Sequence, residues 1–105
     1  MTVPPPVSAA LAAANAHDTD AFLATFTADG VVDDWGREFR GADAIRGWSD
    51  AEFIGVDVTL EVTGTTEEDG ATTVAADVGG RGFNGPSHFT FAVEGDKVAR
   101  MTIRA

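Results

Sequence analysis

The spacing of apolar residues changes once along the chain, from a helical pattern to a strict alternation. Residues 7–16 are rich in alanine, the strongest helix former, and predict a first helix. Asp18 is a favourable N-cap for a second helix, in which Phe22 and Phe26 lie four residues apart on one face. This second helix is predicted to end at the Ala-Asp-Gly segment that finishes at Gly30.

A hairpin and a third helix are predicted next. Residues 31–35 and 37–40 have the composition of two short strands, and Gly36 suits the turn between them. Gly41 precedes residues 42–53, whose apolar positions have helical spacing.

The second half of the chain predicts a series of antiparallel strands. Apolar and polar residues alternate over residues 56–63, 73–78, 89–93 and 99–104, so that one face of each strand is apolar. Helices followed by hairpins indicate an α+β fold in which the helices cover one face of the sheet. We expect one domain, residues 1–105, because a chain of this length forms a single core.

Charge and composition exclude several classes of partner. Seventeen acidic and seven basic residues give a net charge of −10, which argues against nucleic acids and anionic membranes as partners. The chain has no cysteine, and its two histidines lack the spacing of a metal site, so no metal or cofactor is predicted. The N-terminus lacks the basic and apolar regions of a secretory signal, and we expect a cytoplasmic protein.

Three segments resemble the nuclear transport factor 2-like domains. Residues 26–36 (FTADGVVDDWG) resemble their F-x-x-D-x-x-V-x-D segment, residues 39–45 (FRGADAI) resemble their turn into the third helix, and residues 89–100 resemble their last hairpin. The nearest branches are the SnoaL-like polyketide cyclases and the ketosteroid isomerases. The resemblance implies a cystatin-like α+β roll, in which a cone-shaped, strongly curved antiparallel (mixed) sheet wraps around the N-terminal helices and encloses a pocket. It leaves the activity open.

Asp34 is the candidate general base. By the resemblance it matches the base of the ketosteroid isomerases. Alternation independently places Asp34 on the same strand face as Val32 and opposite Trp35. A carboxylate among apolar side chains takes up a proton more readily, which suits a general base. The alternative is that Asp34 caps a turn, or pairs with Arg37 or Arg40 at the rim.

The resemblance fails at the second part of the isomerase mechanism. Those enzymes stabilise an oxyanion with a tyrosine and a protonated aspartic acid. The equivalent positions fall near Ala10 or Leu11 and near Phe89, and the chain contains no tyrosine. Because one such donor contributes about 2.7–4 kcal/mol to the transition state, efficient steroid isomerisation is not expected.

His88 is the second catalytic candidate, because a histidine in the pocket could form an acid–base couple with Asp34. Alternation with Phe89 and Phe91 directs His88 outward, whereas a bulge near Pro86 would turn it inward. Both orientations remain open at this stage.

Large apolar side chains are predicted to line the pocket and contact a small apolar molecule. Simple core packing is the alternative for each of them. The candidate ligand-binding residues are Phe22, Phe26, Trp48, Phe53, Phe83, Phe89, Phe91 and Met101.

The opposite face of the sheet mixes acidic, basic and threonine side chains. Proteins of this resemblance often pair through that face, and opposite charges can fix the register of a two-fold dimer, so we expect a homodimer. A solvated face is the alternative. The residues are Asp57, Thr59, Glu61, Thr73, Asp77, Arg81, His88, Thr90, Arg100, Thr102 and Arg104.

Three functions fit these observations. The first is cofactor-independent acid–base catalysis of the isomerase, cyclase or dehydratase type on a small apolar ligand, with Asp34 as the base. The second is a domain that binds such a ligand without catalysis. The third is a dimeric scaffold with a filled core, which the volume of the pocket would distinguish from the other two.

Overall fold

The computed structural model describes residues 3–105. Three helices form, α1 (Pro5–Asn15), α2 (Thr19–Ala24) and α3 (Ala42–Glu52), and a 3₁₀ turn (Ile54–Val56) follows the third. The strands are β1 (Phe26–Asp34), β2 (Arg37–Arg40), β3 (Thr59–Glu68), β4 (Ala71–Gly79), β5 (Gly85–Glu94) and β6 (Lys97–Arg104). Within the described residues, no helix combines the length and the apolar character that crossing a membrane requires.

Local sequence signals explain where the helices begin. Pro5 and Pro6 occupy the first turn of α1, where the backbone needs no N–H donor. Asp18 caps α2 as predicted, since its carboxylate accepts a hydrogen bond from the Ala21 N–H at 3.0 Å. The third helix also begins after Gly41 as predicted.

The prediction that Phe26 belongs to α2 is wrong. Phe26 is the first residue of β1, although its ring still contacts that of Phe22, with centroids 5.2 Å apart. The helix stops because the Thr25 hydroxyl donates to the Phe22 carbonyl, and because the Val98 N–H bonds the Thr25 carbonyl at 2.7 Å. The second contact draws the chain into the sheet next to β6.

The six strands form one curved sheet in the order β2-β1-β6-β5-β4-β3. The β1–β6 pair is parallel and every other neighbouring pair is antiparallel. This arrangement confirms the predicted α+β class with a mixed, mainly antiparallel sheet. The helices cover its inner face, and the core between them includes Val32, Val74, Phe91 and Met101.

Burial departs from the predicted alternation at two places in the sheet. The bulge between residues 92 and 93 buries Val98 completely and leaves Ala99, which the alternation directed inward, only half-buried. Val62 pairs with the buried Ala76 and so lies on the inner face as the alternation predicted, but it is 45% exposed on the edge strand β3.

Candidate functional site

A cavity of about 340 Å³ opens between α3, the 3₁₀ turn and the inner face of the sheet. Its walls are mainly apolar. The Trp48 and Phe53 rings stack with centroids 4.8 Å apart, and Phe89 lies next to Phe53 at 6.4 Å. Phe83 also borders the cavity, so four of the eight candidate ligand-binding residues surround one space.

The other four candidates lie away from this cavity. Phe22, Phe26, Phe91 and Met101 belong to the buried core beneath the helices. The gap that Phe22, Phe91 and Met101 share with α1 is too small to hold a water molecule. Core packing, the alternative given for each candidate, describes these four.

Asp34 ends β1 and borders the cavity, with its side chain 16% exposed. One carboxylate oxygen, Oδ2, accepts hydrogen bonds from Trp48 Nε1 at 3.1 Å and from Arg37 Nη2 at 2.6 Å. Within residues 3–105, no hydrogen bond reaches the other oxygen, Oδ1. Asp34 therefore lines the cavity and also forms the ion pair with Arg37 that was given as the alternative, and its role as a base stays a prediction.

Arg37 connects Asp34 to a second carboxylate at the rim. The Arg37 guanidinium bonds both carboxylate oxygens of Glu52, at 2.7 and 3.0 Å. These bonds raise the pKa of Arg37 and lower the pKa of Glu52. Glu52 lines the cavity, and the sequence analysis missed it. Its position four residues after Trp48 on one helix, which places both on the same face, was the available signal.

Ser87 is a second residue that the sequence analysis missed. Its side chain is buried and lines the cavity, where it is the only hydroxyl among the lining residues that the structure describes. Ser87 lies two positions before Phe89 on β5, so the period of two that placed Phe89 inward also placed Ser87 inward.

Trp35 lines the mouth of the cavity, whereas the alternation had placed it on the opposite face. The strand ends at Asp34, and Trp35 and Gly36 form a tight turn in which both have positive φ angles, 54° and 88°. This turn redirects the Trp35 side chain, which is 61% exposed.

His88 does not reach Asp34. It is exposed, it pairs with Ala75 on β4 and Arg104 on β6, and the cavity lining does not include it. The pairing of β4 with β5 stays regular through Pro86, so the bulge that would have turned His88 inward is absent from this described stretch. The acid–base couple with Asp34 does not form in this structure.

The outer face of the sheet carries an ionic cluster behind Asp34. Asp33 bonds Arg100 at 2.8 Å and Arg104 at 3.1 Å, and Arg100 also bonds Glu38. The Arg104 hydrogen bond is the main cause that lowers the pKa of Asp33 to about 2. The homodimer expected through this face stays a prediction.

Comparison with known proteins identifies the family. The model of the SnoaL-like domain matches residues 7–101. The chain belongs to this family. No curated protein sequence matched this SnoaL-like chain. A Sinorhizobium meliloti protein, described as a candidate polyketide cyclase, is 30% identical with a TM-score of 0.88, and the match covers 97% of this chain and 95% of that one.

Two more distant structures support the fold alone. A Catenulispora acidiphila protein with a ketosteroid isomerase-like fold, solved in complex with trimethylamine, is 24% identical with a TM-score of 0.82, covering 99% of this SnoaL-like chain and 87% of that one. A cystatin-fold protein from Novosphingobium aromaticivorans is 18% identical with a TM-score of 0.82, covering 99% and 100%. These matches confirm the cystatin-like roll, and the family match over residues 7–101 confirms the resemblance found in the sequence.

Proposed function

We propose that this SnoaL-like domain binds a small, largely apolar molecule in its cavity and that Asp34 transfers a proton on that molecule. The free Oδ1 atom carries the proposal. Trp48 and Arg37 hold the carboxylate through Oδ2, while Oδ1 has no partner within the described residues. A carboxylate fixed through one oxygen and open at the other suits a general base.

The surroundings of Asp34 support the same proposal. A cavity of about 340 Å³ is close to the lower limit of small-molecule sites, roughly 300 Å³. The stacked rings of Trp48 and Phe53 line the same cavity as the carboxylate and form part of its apolar wall. The Sinorhizobium relative, described as a candidate polyketide cyclase, also supports small-molecule chemistry. Proton transfer is the step that isomerase, cyclase and dehydratase reactions share, and the proposal is made at that level.

Ligand binding without catalysis is the second candidate function. It is favoured by the absence of tyrosine from the chain and by the single hydroxyl, that of Ser87, among the described lining residues. A site with few hydrogen-bond donors stabilises a developing oxyanion poorly. A scaffold with a filled core is less well supported, because the space beside Asp34 is open.

A generic carbon acid tests the proposal without knowledge of the natural substrate. The probe 5-nitrobenzisoxazole loses one carbon-bound proton to a base and opens to a coloured phenolate. We expect Asp34→Asn to lower kcat/KM for this probe at least about 100-fold, as for the loss of a general base. The matched control is Asp33→Asn, which removes the same charge from the outer face and should retain kcat/KM within about three-fold when assayed below its Tm.

The two candidate functions give different results with the same probe. Binding can be followed by fluorescence, because both tryptophans, Trp35 and Trp48, line the cavity. Saturable binding with no turnover above the buffer rate would favour the non-catalytic function. Equal rates in Asp34→Asn and the wild type would show that Asp34 is not the base.

A further inference from the structure

The cavity is negatively charged. Two carboxylates, those of Asp34 and Glu52, line it, and its described lining contains no lysine, arginine or histidine. Arg37 lies outside the lining and bonds both carboxylates, so it compensates one of the two negative charges. One negative charge therefore remains, and the acceptor oxygen Asp34 Oδ1 is still free to contact a ligand.

Aromatic side chains flank the mouth of the same cavity. Trp35 in the β1–β2 turn and Phe83 in the β4–β5 connection both line it, although they are 61% and 58% exposed. Trp35 adopts a positive φ angle that is unfavourable for a bulky residue, and such strained residues concentrate at functional sites. The face of an aromatic ring attracts cations because its π electrons are negative.

We infer that the ligand is an organic cation, an apolar molecule that carries an ammonium or a cationic C=N group. The inference rests on the proposed function, because it requires the same cavity to be the binding site. Asp34 supplies the opposite charge, and the Trp35 and Phe83 rings contact the cationic group at the mouth. The overall charge of −10 adds a long-range attraction for such a ligand.

A cationic substrate also fits the lack of oxyanion donors. A carbon next to a cationic C=N group can lose a proton to Asp34 Oδ1. The C–H bond breaks, its electron pair forms a C=C bond, and the C=N pair moves onto nitrogen, so the product is neutral. Because no oxyanion forms, the reaction does not need the tyrosine that this chain lacks.

Two probes of the same shape distinguish the contribution of charge to binding from the contribution of apolar contact. In 3-hydroxyphenyltrimethylammonium the trimethylammonium group replaces the tert-butyl group of 3-tert-butylphenol, so the two differ mainly in charge. We expect the cation to bind at least about ten-fold more tightly at low salt, in titrations followed by NMR or tryptophan fluorescence. The preference should decrease at high salt, because added ions screen the attraction.

Three variants test which residues cause the preference for the cationic probe over the neutral one. Asp34→Asn should reduce the cation preference to less than about three-fold while the neutral probe still binds. Asp33→Asn makes the same change in net charge on the outer face and should leave the preference intact. Trp35→Ala should weaken binding of the cation more than binding of the neutral probe, because the aromatic face is lost.

Each outcome supports or overturns the inference. Equal affinity for the two probes would overturn the cation inference and leave the proposed pocket standing. Failure of both probes to bind would overturn the cation inference and the proposed function together. An equal loss of preference in Asp33→Asn and Asp34→Asn would assign the effect to net charge and would also overturn the inference.

Discussion

The two ends of the inner sheet face differ in how they are stabilised. Beneath α1 and α2 the interior is filled, since Phe22, Phe91 and Met101 are buried and the gap between them and α1 is too small for water. At the Asp34 end, a cavity of about 340 Å³ takes the place of packed side chains. Phe53 joins the two ends, because its ring contacts both Phe22 and Phe89.

Ion pairs surround the open end. Arg37 bridges Asp34 and Glu52 at the rim, and on the outer face behind them Asp33 bonds Arg100 and Arg104. A wall that encloses a cavity loses the packing that a filled interior would provide. Stability should therefore depend on side-chain volume at the filled end and on charge at the open end.

Phe91→Ala tests the filled end and carries the largest expected effect. Removing a fully buried ring should lower the free energy of unfolding by about 3–5 kcal/mol, because the interior cannot close the space. The control is Phe83→Ala at the cavity mouth, where the ring is 58% exposed and the loss should stay below about 1 kcal/mol. Urea denaturation measures both values, and similar losses in the two variants would contradict the comparison.

Asp33→Asn tests the ionic wall of the open end. The variant should lose roughly 2 kcal/mol at neutral pH, the value that corresponds to a pKa lowered from 3.8 to about 2. Its Tm should fall by roughly 10 °C. Asp34→Asn changes the net charge equally and breaks the ion pair with Arg37, whose side chain is 54% exposed and also bonds Glu52. The asparagine oxygen can still accept the hydrogen bond from Trp48 Nε1, so the Tm should change much less. A larger loss of stability in Asp34→Asn than in Asp33→Asn would contradict the view that Asp33 provides the ionic stabilisation of this end.

The pH dependence of stability provides a second measurement on Asp33. Because the pKa of Asp33 is lower in the folded protein, its stabilising effect is present above about pH 4 and is lost as the pH falls towards 2. The stability difference between the wild type and Asp33→Asn should therefore shrink over this range. Denaturation curves recorded at several pH values test this, and a constant difference would contradict the ionic role.

The sequence predicted the face on which each residue lies better than its position along that face. Alternation correctly paired Asp34 with Val32 on the inner side, because successive side chains of a strand point to opposite faces. The same rule could not tell that Phe89 borders a cavity while Phe91, two residues further, is packed. Free volume depends on how the helices lie over the sheet, which no local pattern contains.

Local patterns also fail where a strand ends. Trp35 is the residue after the last position of β1, and its side chain follows the geometry of the turn instead of the alternation. A bulge has the same effect inside the sheet, where Val98 is buried and Ala99 is only half-buried. The site therefore combines two side chains that follow the period of two, those of Asp34 and Ser87, with that of Trp35, which does not.

Trp35→Asn carries the smallest expected change in stability and the opposite sign. Asn-Gly is a preferred sequence for a two-residue turn with two positive φ angles, whereas a tryptophan is strained there. Because the Trp35 ring is 61% exposed, little apolar burial is lost, and the net gain should be about 0.5 kcal/mol, or 2–4 °C in Tm. Affinity for the cationic probe should fall at the same time, since function and stability compete at strained positions.

Trp35→Ala removes the ring but not the strain and should show the loss of affinity without the gain in Tm. A lower Tm for Trp35→Asn would mean that the packing of the ring at the mouth outweighs the backbone strain.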